Sequence, residues 1–464
     1  MDSATLPPSA GRHRPDHDPD RRPGVVVVFS GGAATARALP LTDGAIELRR
    51  GDGPDEIADG RVSRRHARIA FDGERWLVTD LGSQNGTLVD GAPAVAHTAT
   101  PVHRVVRVGD TLVIPCADLR PLVRRGVRSA DGFVRGPAMQ DVLVDVEDAA
   151  RAGSPLHIRG ESGTGKEGIA QAFHRAGARA ERPFVAVNCA AIPQAIAERL
   201  LFGARRGTYS GADADATGYV QEADGGTLFL DEIAELEPQV QAKLLRVLES
   251  REVLPLGAAR PRKVDFALCS ATSKDLRALV AAGSLREDLY FRVGQPTVAI
   301  PALRNRPEEI PALIAQELPR TSPAPAAHAS LVEQCLLRPW PGNVREMLAE
   351  IRAAARVALR DGQRVEARHL AATAGTVFGD AMPEARPAPG PAAAPRDAAP
   401  DPTRRRTPRD PAEWRQRIED GLRAHGGNVA ATARALGLHR TQLRRLLERH
   451  GIAVDAATAG DDDE

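Results

Sequence analysis

The chain is 464 residues long, more than one hydrophobic core usually organises, so length alone argues for about three domains. Hydrophobic residues at 42% and charged residues at 27% are those of a globular protein, whereas 36 Pro and 3% aromatic residues signal stretches that cannot pack. The formal net charge of +1 is uninformative about a nucleic-acid partner until it is divided among segments, because acidic neighbours can mask a basic domain. Cys116, Cys189, Cys269 and Cys335 form no CxxC pair and no Cys/His ligand spacing, which argues against disulfides and zinc and for a reducing cytoplasm. The longest early apolar run, Gly24 to Phe29, is far too short for a signal h-region or a membrane span, so a soluble cytoplasmic protein without a membrane partner is expected.

In chain order, residues 1–23 form a polar leader without apolar periodicity, expected to be disordered. Residues 24–123 carry short, often alternating apolar runs such as Trp76-Leu77-Val78 and Leu112-Val113-Ile114, separated by Gly-Asp turns, which predicts an all-β sandwich. Its turns Ser63-Arg64-Arg65-His66 and Gly82-Ser83-Gln84-Asn85-Gly86-Thr87 concentrate hydroxyl, amide and cationic donors with no pairing of nucleophile and base, and so read as a binding site. Over residues 133–372 short apolar runs alternate with helical patterns, which predicts an α/β domain with a largely parallel sheet, its part from about 301 to 372 forming a helical lid. Seven prolines between Pro383 and Pro402 mark residues 373–410 as an extended linker. Residues 411–455 then form a small all-α unit: Trp414, Ile418 and Leu422 make one apolar stripe, Val429, Ala433 and Leu436 a second, and Leu443, Leu446 and Leu447 a third.

The strongest chemistry lies in Gly160-Glu161-Ser162-Gly163-Thr164-Gly165-Lys166-Glu167, between the strand-like Pro155 to Ile158 and the helical pattern Gly168 to Arg175. Glycines 160, 163 and 165 let backbone N–H groups converge on phosphates, the helix N-terminus adds positive potential, and Lys166 reaches the β- and γ-phosphates of ATP. Glu167 stands where a Ser or Thr would normally hold Mg2+, so this run alone leaves a Gly-rich turn as an alternative. The strand pattern Thr227 to Leu230 ends in Asp231-Glu232, one carboxylate for Mg2+ and its neighbour to orient or deprotonate the attacking water. Two exposed carboxylates at a strand end would be the bland reading.

With GESGTGKE at 160, VNCAAIP at 187, GGTLFLDEI at 225, KLLRVLE at 243, LREDLYFRV at 285 and WPGNVRE at 340, residues from about 133 to 370 resemble the AAA+ ATPase domain of bacterial enhancer-binding proteins. In that family the GKE form of the phosphate turn is usual. The resemblance implies ATP hydrolysis that remodels RNA polymerase holoenzyme carrying sigma-54, in a homo-oligomer ranging from dimer to hexameric ring. It makes Asn188 the switch residue restraining catalytic Glu232, and Arg345 the lid arginine that senses nucleotide. Arg286 and Arg292 become the arginines that a neighbouring subunit projects onto the γ-phosphate; from the residues alone, surface ion pairing is the alternative. Gly207-Thr208-Tyr209-Ser210-Gly211-Ala212, small residues flanking one aromatic, resembles the family's GAFTGA loop that grips sigma-54, with Thr208 in place of Ala. Ser273 stands where many members place an Asn sensor.

The β segment, over about 46 to 114, resembles a forkhead-associated (FHA) domain. By that resemblance Arg50, Ser63 and Arg64 meet a phosphothreonine-containing protein, Asn85 with Gln84 beside it holds the peptide backbone, and His66 braces the two loops; Arg49 replaces the family's glycine. From Arg404 to Arg449 there are 12 Arg against 5 acidic residues. Gly426 to Ile452 resembles a Fis-type helix-turn-helix, which implies dimeric binding to enhancer DNA through a helix bearing Arg440, Gln442, Arg444, Arg445 and Arg449. The expected protein is thus a sigma-54-dependent regulator controlled by phosphothreonine-peptide binding. The alternative is a DNA-bound, phosphopeptide-responsive adaptor or repressor whose ATPase does not engage sigma-54.

Overall fold

The computed structural model describes residues 20–208, 214–362, 364–377 and 411–424, together with 429, 432, 433, 443, 447 and 452. Residues 1–383 form one compact unit and residues 384–464 a second. Among the described residues no helix is long and apolar enough to cross a membrane.

The first unit begins with the expected all-β sandwich. A six-stranded antiparallel sheet, centred on Gly24–Ser30 and Thr111–Cys116, faces a four-stranded one made of Ala45–Leu48, Ala67–Phe71, Trp76–Asp80 and Ala99–Val102. A strand's side chains alternate between faces, so Val25, Val27 and Val113 enter the core between the sheets with Leu48, Ile69 and Val78. Val26, Val28, Leu112 and Ile114 point the other way and are buried too, at 4% exposure or less. The outer face of this sheet is therefore covered, which explains why Val25 to Val28 shows no polar alternation.

The second part is a five-stranded parallel sheet in the order Phe184–Asn188, Thr227–Asp231, Ala267–Thr272, Leu156–Arg159, Thr297–Ala299. Both faces are apolar: Leu228 and Leu230 serve one core, Phe229 with Ile158 and Cys269 the other. Helices Pro137–Arg151 and Lys166–Ala176 cover the second face. This is the α/β arrangement expected from the alternation of runs, and it brings the ends of Leu156–Arg159 and Thr227–Asp231 to one edge of the sheet.

A helical lid follows, formed by Ile310–Glu317, Ala329–Leu337 and Asn343–Arg360. The last helix buries Met347, Ile351, Ala354, Ala355 and Ala358, a helical spacing. Its core is continuous with the outer face of the β-sandwich, because Ile314, Leu331, Val332 and Cys335 share one cluster with Val26, Val28 and Ile114. In the second unit, helix Pro411–Ala424 contributes Ile418 and Leu422 to a cluster with Ala433, Leu443 and Leu447, so one member or more of each apolar stripe meets the others.

At the seam between sandwich, sheet and lid, the Glu309 carboxylate accepts from the Gly136 N–H at 2.6 Å, and a Cβ on Gly136 would lie 2.6 Å from Oε1 of Glu308. Burial, reinforced by the neighbouring Glu309, pushes the Glu308 carboxyl from 4.5 up to about 7. The folded state thus holds this proton more tightly than the unfolded chain does. The stability it supports is complete below about pH 4.5 and drains as pH rises through about 7. Glu308→Gln should therefore leave stability near pH 4.5 little changed and raise it by about 1–3 kcal/mol at pH 8, measured by urea unfolding at both pH values.

Candidate functional site

Residues Gly160 to Lys166 turn from the strand Leu156–Arg159 into the helix Lys166–Ala176. Gly163 and Gly165 have φ of 77° and 104°, values that favour glycine, and a Cβ on Gly163 would lie 2.1 Å from the carbonyl oxygen of Gly342. The turn borders a cavity of about 580 Å3. Ser162 to Glu167, Asn188, Asp231, Glu232 and Arg345 are among its polar lining residues, and Phe133, Met139, Leu143, Leu313 and Leu348 among its apolar ones. A flat base and a polyanion need both kinds of surface. Glu167 lies in the first helical turn and is exposed.

Lys166 is 7% exposed; its Nζ donates to Oε1 of Glu232 at 2.8 Å and to the Gly160 carbonyl at 3.2 Å. Glu232 itself has left-handed backbone, φ 51° and ψ 47°, a strained conformation for a non-glycine residue. Its other oxygen accepts from Thr272 Oγ1, Ser273 N and Ser273 Oγ at 3.1–3.2 Å. Burial opposes ionisation of this carboxyl, but these donors and Lys166 prevail and hold it below the usual range. Burial dominates for Asp231 and raises it. The two adjacent carboxyls are thus pushed in opposite directions: Glu232 is held ionised, and Asp231 is the one whose charge a nearby cation would stabilise.

Asn188 also lines the cavity, but its Oδ1 accepts from Ala190 N at 3.0 Å, so here the Glu232 carboxylate is held by Lys166, Thr272 and Ser273. Ser273, where the resembling family has Asn, is one of the groups that hold it. Arg286 pairs with Asp288 at 2.7 Å and Arg292 with Glu249 at 3.8 Å. Both are exposed, and neither is among the residues lining the cavity of its own chain. The base of the candidate partner loop is closed by a pairing of Arg205 with Asp215 and by Thr208, whose Oγ1 donates to the Arg205 carbonyl at 2.5 Å and lies 3.3 Å from that of Leu256. Gly207 there has φ 80°. Tyr209, Ser210, Gly211 and Ala212 lie outside the described residues, as do Arg440, Gln442, Arg444, Arg445 and Arg449.

Three residues at this site were not singled out from the sequence. Asn343, fully buried with φ 52°, donates Nδ2 to Glu161 Oε2 at 3.1 Å and to the Ser162 carbonyl at 3.0 Å, while its Oδ1 accepts from Leu303 N. Arg304 grips Glu161 through two bonds of 2.8 and 2.6 Å and holds that carboxyl below the usual range. Arg306, buried, bridges Glu309 and the Thr164 carbonyl. The WPGNVRE run contained Asn343, but its partners lie about 180 residues away, and Arg304 and Arg306 carried no motif. Arg345 reaches Ser162 Oγ at 3.4 Å.

In the sandwich, buried His66 joins the two candidate loops. Its Nδ1 accepts from Ser63 N at 3.0 Å, and its Nε2 lies 3.1 Å from the Gly86 carbonyl. Ser63 Oγ accepts from Gln84 N, and Asn85 Nδ2 donates to the Arg61 carbonyl at 2.7 Å. Arg50 is exposed and directs Nη1 to the Gly60 carbonyl at 3.4 Å. Arg49 and Arg65 pair with Glu56 and Glu47. Among the described residues Arg64, exposed beside them, has no acidic partner within ion-pairing distance and remains available to an anion.

Three families match in chain order: the FHA domain over residues 50–114, the Sigma-54 interaction domain over 133–299, and the Fis family of bacterial regulatory proteins over 415–450. The hydrogenase transcriptional regulatory protein HoxA of Bradyrhizobium diazoefficiens is 40% identical over 312 residues, 64% of this chain and 60% of that protein. The transcriptional regulatory protein ZraR of Klebsiella oxytoca is 36% identical over 323 residues, 68% of this chain and 67% of that one. The chain thus spans less than two thirds of HoxA's length. The crystal structure of NtrX from Brucella abortus superposes with a TM-score of 0.50 at 28% identity, covering 72% of this chain and 71% of that one.

Asn343→Ala would remove the two hydrogen bonds that this carboxamide makes to the phosphate turn, while those of Arg304, Arg306 and Arg345 remain. It should weaken binding of a fluorescent ADP analogue about tenfold, the effect of roughly 1–1.5 kcal/mol, with the unfolding midpoint lowered by a comparable amount. Fluorescence titration and a thermal scan of the same variant check the two together.

Proposed function

The chain belongs to the sigma-54-dependent transcriptional regulators, and from that premise we propose that it hydrolyses ATP to remodel RNA polymerase holoenzyme carrying sigma-54 while bound to enhancer DNA. The observation that carries this reading is the 2.8 Å pairing of Lys166 with Glu232 at the mouth of the phosphate turn. A cation for the phosphates and a base for water stand within one hydrogen bond of each other. Phosphate that claims Lys166 leaves Glu232 held by Thr272 and Ser273, facing the nucleotide with its proton-accepting oxygen free. Asp231 would hold Mg2+, and Arg345 would report the nucleotide to the lid.

Arg286 and Arg292, exposed on their own chain, would complete a neighbour's site in a ring. The Tyr209–Ser210 loop would grip sigma-54, and Arg440, Gln442, Arg444, Arg445 and Arg449 would face DNA. Arg64, with Arg50 and Ser63, would take a phosphothreonine, with Gln84 and Asn85 along the peptide. A cytoplasmic location follows from these partners. Anchoring of Thr208 to Leu256, absent where the loop has Ala, favours one second reading: an adaptor or repressor whose ATPase does not engage sigma-54.

Glu232→Gln should lower ATP turnover by about a hundredfold or more while nucleotide binding persists. Open-complex formation on a sigma-54 promoter should disappear in that variant and in Tyr209→Ala; activity surviving both changes overturns the activator reading. Retention of sigma-54 by the protein loaded with an ADP–metal fluoride complex separates activator from adaptor. Specific ATPase activity should also fall on dilution, and Arg292→Ala should lose about a thousandfold at any concentration. Turnover that stays constant down to nanomolar protein would mean that each chain carries a whole site.

A further inference from the structure

The β-sandwich is not tethered loosely to the ATPase. Val26, Val28, Leu112 and Ile114 on the outer face of its larger sheet are buried in the lid's own core, against Leu331, Val332 and neighbouring side chains. Gly91, at a turn of the sandwich, approaches the end of helix Ala329–Leu337 so closely that a Cβ would lie 3.0 Å from Leu337. Among the described residues two charged contacts cross this apolar seam: the buried pair of Arg107 Nη1 with Glu333 Oε2 at 3.2 Å, with side chains 14% and 5% exposed, and a longer, less buried approach of His328 Nε2 to Asp110 Oδ1 at 3.8 Å. The second Glu333 oxygen has no hydrogen-bond partner, so Arg107 is the group that compensates the buried charge.

Arg107 is also joined to the candidate phosphopeptide loops. Its Nη2 reaches Asp110 at 3.3 Å, and Asp110 pairs with Arg61 at 3.4 Å. The Asp110 N–H and the Arg61 N–H both donate to Asp59, and the Arg61 carbonyl accepts from Asn85 at 2.7 Å. On the lid side the contacts continue from the same helix. The Cys335 carbonyl accepts from Trp340 Nε1 at 2.7 Å, and the Trp340 carbonyl accepts from Asn343 N at 2.8 Å. Asn343 in turn holds the phosphate turn at Glu161 and Ser162. Trp340, fully buried, and Asn343 both have positive φ, so the segment is held in one conformation by these contacts and not by backbone preference.

We propose that the sandwich is an intramolecular clamp on the lid, through which occupancy of the Asn85 loop and of the phosphate turn are antagonistically coupled. The sign follows from the geometry. With the clamp closed, the lid already grips the phosphate turn, the arrangement in which Arg345 reaches Ser162. A peptide that recruits the Asn85 carboxamide takes it from the Arg61 carbonyl and withdraws one support from the Asp59–Asp110–Arg107 network. Coupling between sites is reciprocal, so nucleotide must weaken the peptide by the same factor. This rests in part on the reading of the Asn85 loop as a phosphopeptide site, and the test has one arm that does not.

In the full chain, Arg107→Met should weaken binding of a fluorescent ADP analogue about fivefold. Arg107→Met with Glu333→Leu, which leaves no buried charge unpaired, keeps the test sound if the single variant unfolds, and should show the same loss. Unchanged nucleotide affinity in the folded double variant overturns the clamp. In the second arm, a phosphothreonine peptide pool randomised at its flanking positions is titrated with and without saturating ADP. A fivefold weaker affinity with ADP in the wild type, abolished in the double variant, supports the coupling; equal affinities overturn it. If the pool does not bind at all while the double variant still loses nucleotide affinity, the clamp stands and the phosphopeptide reading falls.

Discussion

The nucleotide cleft depends on one carboxamide. Asn343 stands at the start of a lid helix, in a backbone conformation that a non-glycine residue adopts at a cost, and spends its side chain joining the phosphate turn to the lid. Its carbonyl end holds Leu303, the entry to the lid, and its amino end holds Glu161 and Ser162. Every donor and acceptor of the group is engaged in a fully buried place, where a lost partner is costly to leave unmade. Arg304, Arg306 and Arg345 reach the turn from the same side, so the carboxamide is the buried centre of a wider set of contacts between phosphate turn and lid.

The same economy governs the seam above it. A sandwich normally turns one face of each sheet to water, but here Val25 to Val28 feed two cores alternately, and the lid cannot bury Leu331 and Val332 without them. Sandwich and lid therefore share a hydrophobic core as parts of one compact unit. An apolar seam alone would fix their separation but not their register. The Arg107–Glu333 pair supplies register, since a charge buried to this degree tolerates only the position in which its partner meets it.

How much of this was legible in the sequence follows from the reach of each contact. The phosphate turn, the Asp231-Glu232 strand end and the three fold classes could be read because the chemistry sits within a few consecutive residues whose spacing is set by the local backbone. His66 could be read as the brace between the loops because its partners, Ser63 and Gly86, fall inside the same two turns. Asn343, Arg304 and Arg306 could not, since their partners on the phosphate turn lie roughly 140 to 180 residues away and no spacing rule spans such a distance. The covering of the sandwich was written in the unbroken valine run, but a run of that length is equally what one buried sheet would show. The groups that hold Glu232 illustrate the limit from the other side: Ser273 does so with a backbone N–H as well as its hydroxyl, and a backbone donor is invisible to any reading of side chains.

Three cations beside the phosphate turn are paired within the protein. Lys166 has Glu232, Arg304 has Glu161, and Arg306 has Glu309. A triphosphate cannot take all these cations, because Arg306 is buried and Arg304 is held by both oxygens of one carboxylate. Lys166 differs. Its partner Glu232 has three other donors, so the carboxylate loses least when Lys166 turns to a phosphate, and the strained backbone of Glu232 keeps the carboxylate in place as it does so. In the proposed reaction the exchange of partners would be confined to the one ion pair whose opening leaves a base beside the phosphates. The other two, left closed, keep the turn and the lid in register while it happens.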